Sequence, residues 1–311
     1  MSSPGGALLD AATAAAMLPE RDPRGHKGTF GRVVAVAGSL DYTGAALMSG
    51  AAAVRAGCGL LTLCVPASLQ PIVAGRVPEL ITRGLPEVEP FEVDAARAAA
   101  DVTELAADAL LLGPGLHSGR GTTRLVQQLL ATQGPPAVVD AGALSVLAHV
   151  PGWWTRLARP VIITPHPGEM ARLGRRVGTD DDERREVALA AATEWDVVVV
   201  LKGAFTVVAA PDGSALTAPF EVPALGSGGS GDVLTGVIAS LVAQGLDAFR
   251  AAALGVYLHA RAGEDVSGRL GDAGLMATDL LPAIPRVRRE LHGDRAGSPR
   301  LGFEAPRQET L

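Results

Sequence analysis

A glycine-rich segment late in the chain has the residue types that chemistry on a phosphate requires. It reads Leu-Gly-Ser-Gly-Gly-Ser-Gly-Asp over residues 225–232 and leads into an apolar stretch that predicts a helix. Glycines at a helix start let backbone N–H groups approach an anion without interference from a Cβ atom, and the helix dipole favours negative charge. No strand in the chain is followed by the Gly-Lys-Ser/Thr of a P-loop. The segment therefore predicts an anion hole of a different type, which is built from Gly228, Gly229, Ser230 and Gly231.

Asp232 ends this segment and falls in the first turn of the predicted helix. Two roles are open to a carboxylate at that point. It can compensate the positive end of the helix dipole, or it can act as an acid or base beside a bound phosphate. We take Asp232 as the candidate catalytic residue, because it directly follows the predicted anion hole.

Two further segments follow aliphatic runs and contain polar residues suited to ligand contact. The first, Thr-Pro-His-Pro-Gly-Glu-Met over residues 164–170, has prolines that restrict φ on either side of His166. His166 is predicted to contact a ligand, although local hydrogen bonds would also explain it, and Glu169 is expected in the first turn of the next helix. The second segment places Lys202 at the end of an apolar run, next to Gly203. A lysine there either reaches a nucleotide phosphate as a point charge or is a solvated residue at a strand end.

Small residues near two other predicted strand ends allow close approach of a ligand. The turn Gly-Pro-Gly at residues 113–115 follows an apolar run, and Gly115 either exposes backbone to a ligand or serves the turn alone. Nearer the N-terminus, Thr-Gly-Ala-Ala at residues 43–46 begins a predicted helix. Taken on its own, Ala45 is best explained by packing.

The elements that must position these residues are short aliphatic runs alternating with segments rich in small residues. Continuous apolar runs are typical of strands buried on both faces of a parallel sheet. The predicted strands are Val33–Ala37, Leu60–Val65, Ala109–Leu112, Ala137–Val139, Val161–Ile163 and Val197–Leu201. The predicted helices between them include Gly44–Ala56, Arg120–Thr132, Gly168–Leu173 and Asp181–Glu194. This alternation predicts an α/β fold whose ligands bind at the carboxyl ends of the strands.

The chain after residue 201 departs from this alternation. Two short strands, Thr206–Ala210 and Ala215–Ala218, flank a Pro-Asp-Gly-Ser turn, which predicts an antiparallel hairpin. Three predicted helices follow, at Gly231–Gln244, Ala248–Glu264 and Thr278–Leu291. No linker or internal repeat divides the chain. We predict one domain over residues 25–292, an N-terminal extension over 1–24 and a disordered tail over 293–311.

Composition excludes several classes of protein. The 311 residues carry a formal net charge of −6, which argues against nucleic-acid or membrane binding by electrostatic attraction. Two cysteines make no disulfide framework, which favours a reducing compartment. No apolar run is long enough to span a membrane and no basic segment opens a secretory signal, so we expect a soluble, cytoplasmic protein. The histidines are scattered, and no metal site is predicted.

These segments occur together with a few others in an order that is found in a known family. The matching residues are His26-Lys27-Gly28 with Gly31-Arg32-Val33, Gly44-Ala45-Ala46, Gly113-Pro114-Gly115, Thr164–Met170, Lys202–Thr206, Gly226–Leu234, Gln244-Gly245 and Tyr257-Leu258-His259. On these residues, the sequence resembles the ADP-dependent NAD(P)H-hydrate dehydratase family, a branch of the ribokinase-like fold. Residues 164–170 discriminate best, because related small-molecule kinases share the glycine-rich anion site. The resemblance implies a three-layer sandwich with a mostly parallel central sheet and helices on both faces.

The family repairs nicotinamide cofactors that have been damaged by hydration of the reduced ring. The resemblance implies a carbon–oxygen lyase that uses ADP to dehydrate the S epimer of hydrated NADH or NADPH, restoring NAD(P)H and releasing AMP and phosphate. It implies that the AMP moiety is bound by Lys202, Gly203, Ala204, Phe205, Thr206 and Gly231. It implies that the hydrated cofactor contacts Ala45, Gly115, His166 and Asp232. Mg²⁺ and a homo-oligomer such as a tetramer are implied as well, whereas a preference between NADH and NADPH is not.

The chain departs from the family's pattern in two loops. Where the family commonly has Asp-Ala-Asp-Ala-Leu-Asn, Gly142 and Ser145 replace a carboxylate and an amide. Residues 222–227 replace a segment that usually carries Gly-Asn-Pro and Ala-Thr. The glycines and Asp232 are kept, so we expect altered loop detail rather than lost activity. Since only residues 1–25 precede the first motif, we also expect the epimerase of many relatives to be a separate protein.

Two other functions are compatible with the same residues. A ribokinase-like kinase of a small hydroxylated metabolite, such as a vitamin precursor, would share the fold and Asp232 but would use ATP. The segment at residues 164–170 argues against it. A nucleotide-binding module without catalysis is the other alternative, and its support is the replacement at Gly142 and Ser145.

Overall fold

A mostly parallel sheet forms the centre of the computed structural model, which describes residues 7–296. The described strands are β1 (Ala7–Leu8), β2 (Arg32–Val36), β3 (Leu60–Pro66), β4 (Ile81–Leu85), β5 (Glu87–Glu89), β6 (Glu92–Val93), β7 (Ala109–Leu112), β8 (Ala137–Val139), β9 (Val161–Ile163), β10 (Val198–Leu201), β11 (Val207–Ala209) and β12 (Ala215–Thr217). Ten of them form one sheet in the order β1-β12-β11-β10-β9-β8-β7-β2-β3-β4, while β5 and β6 pair separately. Neighbours in the large sheet are parallel except for β10 with β11 and β11 with β12.

Helices connect the strands and cover both faces of the sheet. The described helices are α1 (Ala11–Met17), α2 (Thr43–Ala56), α3 (Gln70–Val73), α4 (Ala95–Glu104), α5 (Arg120–Leu130), α6 (Gly142–Leu147), α7 (Pro167–Arg172), α8 (Asp181–Trp195), α9 (Ser230–Ala243), α10 (Ala248–Leu270) and α11 (Ala277–Ala296). Short 3₁₀ helices form at Trp153–Arg156 and Pro223–Gly226. Within residues 7–296, no helix has the length and apolar character needed to cross a membrane.

The two faces of the sheet belong to two separate apolar cores. Along β2, Val33 and Ala35 point into a core that they share with α1, α2, α9, α10 and α11. Val34 and Val36 point the other way, into a core formed with α4, α5, α6, α7 and α8. Successive side chains of a strand lie on opposite faces, so a continuous apolar run fills both cores. The arrangement confirms the expected three-layer sandwich.

The central strands agree with the sequence prediction, with boundaries shifted by one residue in β2, β3 and β10. The predicted hairpin is present as β11 and β12, which pair in antiparallel fashion. The sequence did not predict β4 or the small β5–β6 ribbon. β4 is an edge strand in which only Leu85 is buried, and β5 and β6 are rich in glutamate, so neither has the continuous apolar pattern of a buried strand.

The described part of the predicted N-terminal extension belongs to the main fold. β1 pairs with β12 at the edge of the sheet, and Leu9 and Leu18 are buried in the core beside α1. The proposed boundary at residue 25 therefore marks no structural break, because the alanine-rich segment before it covers one end of the apolar core. At the other end, α11 continues to Ala296, past the predicted start of the tail at residue 293. Residues 1–6 and 297–311 lie outside the described part of the chain.

Candidate active site

The predicted site residues come from loops that meet at the carboxyl edge of the sheet. Five strands lie next to one another in the sheet: β2, β7, β8, β9 and β10. The loop after each of them contains a polar residue or a glycine, which was either predicted from the sequence or found in the structure. The chain runs outward from β2 to β3 and β4 on one side, and from β7 to β8, β9 and β10 on the other. The direction thus reverses between β2 and β7. Ligands of open α/β sheets bind at such a reversal.

The predicted anion hole is the start of α9. Gly229 precedes the helix with a φ of +88°, a left-handed conformation that suits glycine, and no side chain caps the helix. The N–H groups of Gly231 and Asp232 have no acceptor within the helix at these positions. A Cβ atom on Gly228 would meet nothing within 4 Å, so the approach to the helix start is open there. These features suit an anion such as phosphate.

A buried histidine holds the first residue of α9 in place. His259 of α10 is 7% exposed, and its Nε2 lies 2.9 Å from the carbonyl oxygen and 3.1 Å from the hydroxyl of Ser230. Burial lowers the pKa of His259 to about 4, so the imidazole is neutral at physiological pH. A neutral ring with its proton on Nε2 donates to the Ser230 carbonyl. The contact fixes the helix start without placing a positive charge there.

Lys202, which follows β10, is held by carboxylates rather than exposed to solvent. Its Nζ donates to Asp140 Oδ1 at 2.8 Å and lies 3.7 Å from Glu169 Oε2. Burial by itself would lower the pKa of Lys202, but the charges of Asp140, Glu169 and Asp232 outweigh burial and raise it. The ammonium group therefore stays charged. The alternative of a solvated strand-end lysine does not describe this side chain, which is 19% exposed.

Asp232 has the electrostatic environment of an acid–base group. Burial, followed by the negative charge of Asp140, raises the pKa of Asp232 from 3.8 to about 7, against an opposing effect of Lys202. A carboxyl that titrates near neutral pH can both accept and return a proton at physiological pH. Ionisable groups with shifts of this size cluster at functional sites.

His166 and Glu169 cap α7 reciprocally. The Nδ1 of His166 accepts from the N–H groups of Gly168 at 3.0 Å and Glu169 at 3.3 Å, while Glu169 Oε2 accepts from the His166 N–H at 2.9 Å. Because Nδ1 is an acceptor, the neutral ring carries its proton on Nε2. The His166 side chain is 48% exposed, whereas Glu169 is buried. His166 thus combines the local role with an accessible donor.

A cavity of about 830 Å³ opens between the loop after β10 and the start of α9. Seven of the predicted site residues line it: His166, Lys202, Gly203, Ala204, Thr206, Ser230 and Gly231. The lining also includes the apolar residues Phe220, Val222, Leu225 and Val256. Phe205 is not among the lining residues; it takes a φ of +50° in the turn that carries the others. The cavity offers an apolar slot that ends at an anion hole, as a nucleotide requires.

Ala45 and Gly115 lie together on a second wall, next to the reversal in strand order. A Cβ atom on Gly115, where φ is +68°, would lie 3.0 Å from the Cβ of Ala45. The two segments are joined by the Gly38 N–H, which donates to the Pro114 carbonyl at 2.8 Å. The side chain of Met48, also on α2, contacts Gly229 at the start of α9. The start of α9 therefore lies between this wall and the cavity.

Three polar residues of the site were not predicted as functional residues. Asp140 is 1% exposed and its Oδ2 accepts from Thr235 Oγ1 at 2.6 Å, in addition to its bond from Lys202. His259 was named only as part of a motif shared with the family, without a functional role. Asp140 directly follows a predicted strand, so the rule that selected Lys202 would also have selected it. No sequence signal marked Thr235, which lies in an apolar helix.

Comparison with known proteins identifies the family. The family model described as NAD(P)H-hydrate dehydratase matches residues 33–286. The chain belongs to this family. The chain is 40% identical over 278 residues to an ADP-dependent (S)-NAD(P)H-hydrate dehydratase of Xanthomonas campestris, covering 88% of this chain and 94% of that protein.

Two further similar proteins are a longer, bifunctional relative and a relative of known structure. A bifunctional NAD(P)H-hydrate repair enzyme of Moorella thermoacetica is 45% identical over 91% of this chain. The chain spans 54% of that enzyme, so it covers about half the length of the bifunctional relatives that it matches. The ADP/ATP-dependent NAD(P)H-hydrate dehydratase of Bacillus subtilis, co-crystallised with ATP and Mg²⁺, superposes with a TM-score of 0.80 at 32% identity, covering 93% of this chain and 100% of that one. These likenesses confirm the ribokinase-like fold.

Proposed function

We propose that the chain is an ADP-dependent (S)-NAD(P)H-hydrate dehydratase, which removes water from hydrated NADH or NADPH and releases AMP and phosphate. The family and the names of its relatives support this activity. The observation that carries the proposal is the position of Asp232, a carboxylate with a pKa near 7 at an uncapped helix start. On one side of that helix start lies the cavity, and on the other lies the wall of Ala45 and Gly115.

The cavity is the proposed nucleotide site. The loop from Lys202 to Thr206 turns tightly, with Gly203 at a φ of +144° and the Thr206 hydroxyl donating to the Gly203 carbonyl at 2.8 Å. The turn brings backbone and small side chains to the cavity, and the apolar residues that also line the cavity suit a nucleobase. The free N–H groups of Gly231 and Asp232 would then donate to the phosphate oxygens. In this assignment the positive charge of Lys202, which lies against the first turn of α9, attracts the phosphates.

The wall of Ala45 and Gly115 is the proposed site of the hydrated nicotinamide ring. It lies at the reversal in strand order, where ligands of such sheets bind. Ala45 and Gly115 pack against each other, and a Cβ atom on Gly115 would lie 2.6 Å from the Tyr42 carbonyl oxygen, so the ring would rest on the surface that these small residues form. The half-exposed ring of His166 carries an Nε2–H that would donate to a carbonyl or phosphate oxygen of the cofactor. This assignment places the ring hydroxyl near Asp232.

The chemistry would proceed by phosphorylation and elimination. Asp232 takes the proton of the ring hydroxyl while the hydroxyl oxygen attacks the β-phosphorus of ADP, and the bond to the AMP oxygen breaks. The carbon–oxygen bond then breaks with its electron pair leaving on phosphate, pushed by the lone pair of the ring nitrogen. Loss of a proton from the neighbouring ring carbon restores the reduced nicotinamide. Backbone N–H groups at the start of α9 stabilise the charge that develops on the transferred group.

Mg²⁺ is implied by the structure of the Bacillus subtilis relative, which was co-crystallised with ATP and Mg²⁺. Among residues 7–296, no group of three or more acidic, histidine or cysteine side chains is arranged to hold a metal ion. Asp140 and Glu169 face the ammonium of Lys202 instead. An ion carried by the nucleotide phosphates needs few protein ligands.

The activity is tested by recovery of the reduced-nicotinamide absorbance when the enzyme is mixed with hydrated NADH and a nucleotide. ADP and ATP are run in parallel, and AMP and phosphate are quantified. We expect recovery with ADP and one AMP for each NADH restored. No recovery, together with ATP-dependent phosphorylation of a vitamin precursor, would identify a kinase instead. Tight ADP binding without turnover would identify a non-catalytic module. A homo-oligomer and a separate epimerase acting on the same substrate pool remain predictions.

A further inference from the structure

Three carboxylates surround one ammonium group at the start of α9. Asp140 and Glu169 contact Lys202 at 2.8 and 3.7 Å, and Asp232 acts on the same ammonium through its charge. Ionised, the four groups carry two excess negative charges in a largely buried site. Charges that are not compensated in a low dielectric are costly, so such a group holds a proton more readily. Asp232 is the member of the group whose pKa rises into the neutral range.

Asp140 connects the two elements that carry the reacting groups. One of its oxygens binds Lys202 at the end of β10, and the other binds Thr235 on α9. A Cβ atom on Gly231 would lie 3.3 Å from Lys202 Nζ and 3.8 Å from Asp140 Oδ2, so the pair lies directly against the first turn of α9. At 1% exposure, Asp140 itself has no access to a ligand. Its contacts are with the residues that position the site.

We propose that Asp140 is a positioning residue, which holds the Lys202 ammonium beside Asp232 and with it sets how readily Asp232 accepts a proton. The inference rests on the proposed function, because it assumes that Asp232 is the base. The two partners act in opposite directions. The negative charge of Asp140 disfavours the ionised form of Asp232, whereas the positive charge of Lys202 favours it.

Three charged groups from other elements act on Asp232 in this balance. Asp140 comes from the end of β8, Lys202 from the end of β10, and Glu169 from α7. His166 lies next to Glu169, with 3.5 Å between the His166 Nε2 and the Glu169 carboxylate. His259 of α10 is neutral, as described above, and contacts Ser230. Removing Asp140 also frees Lys202 to approach Asp232, so both effects of that change lower the proton affinity of Asp232.

The experiment measures the pKa of Asp232 directly in the free enzyme. Protein labelled with ¹³C at the aspartate carboxyl is titrated by NMR, and the resonance is assigned by its loss in Asp232→Asn. Asp140→Asn should lower the pKa of Asp232 by about one unit or more, and Lys202→Met should raise it by a similar amount. The matched control is Asp212→Asn, an exposed residue of the β11–β12 turn, which should leave the value unchanged.

The opposite signs of the two shifts separate positioning from a merely structural role. The acid limb of the pH profile of kcat/KM should move with the NMR value, downward in Asp140→Asn and upward in Lys202→Met. Shifts in the same direction, or no shift in either variant, would overturn the proposal. If Asp140→Asn does not fold, Lys202→Met decides alone, and an unchanged or lower pKa there overturns it. If the shifts occur but the wild type recovers no NADH with ADP, the proposed function fails while the electrostatic coupling stands.

Discussion

At the scale of single residues, the site is organised around a carboxylate that is kept partly protonated near neutral pH. Burial and the charge of Asp140 raise the pKa of Asp232, and Lys202 limits the rise. The folded protein therefore binds this proton more tightly than the unfolded chain does. The stabilisation that this gives is complete below the unfolded pKa of 3.8 and is lost as the pH rises through about 7. Ionisation of Asp232 at higher pH works against the fold.

Replacing Asp232 by asparagine should therefore stabilise the protein above pH 7. The amide keeps the shape of the side chain but does not ionise, so Asp232→Asn avoids the cost of a buried carboxylate. We expect a free energy of unfolding about 1–3 kcal/mol higher than wild type at pH 8, and no such gain at pH 4. Urea denaturation at both pH values measures this. Asp212→Asn should show no comparable gain at pH 8, and an Asp232→Asn variant no more stable than wild type at pH 8 would contradict the account.

The residues that the sequence predicted are those whose neighbours along the chain reveal them. The glycines before Asp232 and the prolines around His166 mark these positions locally. Asp140 directly follows a predicted strand, as Lys202 does, but its partners Lys202 and Thr235 lie 62 and 95 positions away along the chain, and no local pattern shows that they meet. Contacts of this kind depend on the order of strands in the sheet. The local pattern around Lys202 predicts its position at a strand end, whereas the groups that hold its ammonium come from distant parts of the chain.

At the scale of elements, the start of α9 is the part that must be placed most accurately. Gly229→Ala tests this, because a Cβ atom there would lie within 3 Å of the Met48 side chain and 3.1 Å from the Cβ of Ala277. Gly213→Ala is the matched control, since its φ of +89° is nearly the same as the +88° of Gly229 and nothing lies within 4 Å of its Cβ position. Each alanine should cost about 1–2 kcal/mol in backbone strain.

The two variants should differ in activity. Gly229→Ala should lower kcat/KM for ADP-driven NADH recovery by about tenfold or more, because small displacements of catalytic groups are costly. Gly213→Ala should keep wild-type kinetics. Steady-state kinetics of both variants, with their melting temperatures as a check on folding, provide the measurement. Equal kcat/KM values in the two variants would show that the placement of α9 does not limit the reaction.

The sequence predicted the central elements well and the edge elements poorly, for a physical reason. β7, β8 and β9 are buried on both faces, so their apolar runs coincide with the observed strands. β4 and the β5–β6 ribbon are only partly buried and mix apolar with polar residues, and they are defined by hydrogen bonding to neighbouring chain segments. A pattern of apolar residues contains no information about such strands.

At the scale of the whole molecule, the N-terminal residues are part of the structure that carries the site. β1 extends the sheet beyond β12, and Leu9 and Leu18 are buried in the core that also contains α9 and α10. Residues 1–24 precede the first matching motif, at His26, and were predicted as an extension for that reason. Burial depended on a partner strand more than 200 residues away, which pairs Ala7 with Leu216.

Two adjacent leucines test this integration. Leu9 is fully buried, whereas Leu8 is 42% exposed. Leu9→Ala should lower the free energy of unfolding by about 2–5 kcal/mol, as is usual for a buried leucine. Leu8→Ala should cost about 1 kcal/mol or less. Urea denaturation of the two variants measures both values. A Leu9→Ala variant as stable as Leu8→Ala would mean that the N-terminal segment does not belong to the core.

The most direct test of the central claim is the turnover of Asp232→Asn with hydrated NADH and ADP, measured beside its affinity for ADP. The variant keeps the anion hole and the cavity but has no group at position 232 to take a proton. We expect kcat to fall about a hundredfold or more, while the Kd for ADP stays within about twofold of the wild-type value. Recovery of NADH at the wild-type rate in Asp232→Asn would contradict the assignment of Asp232 as the base.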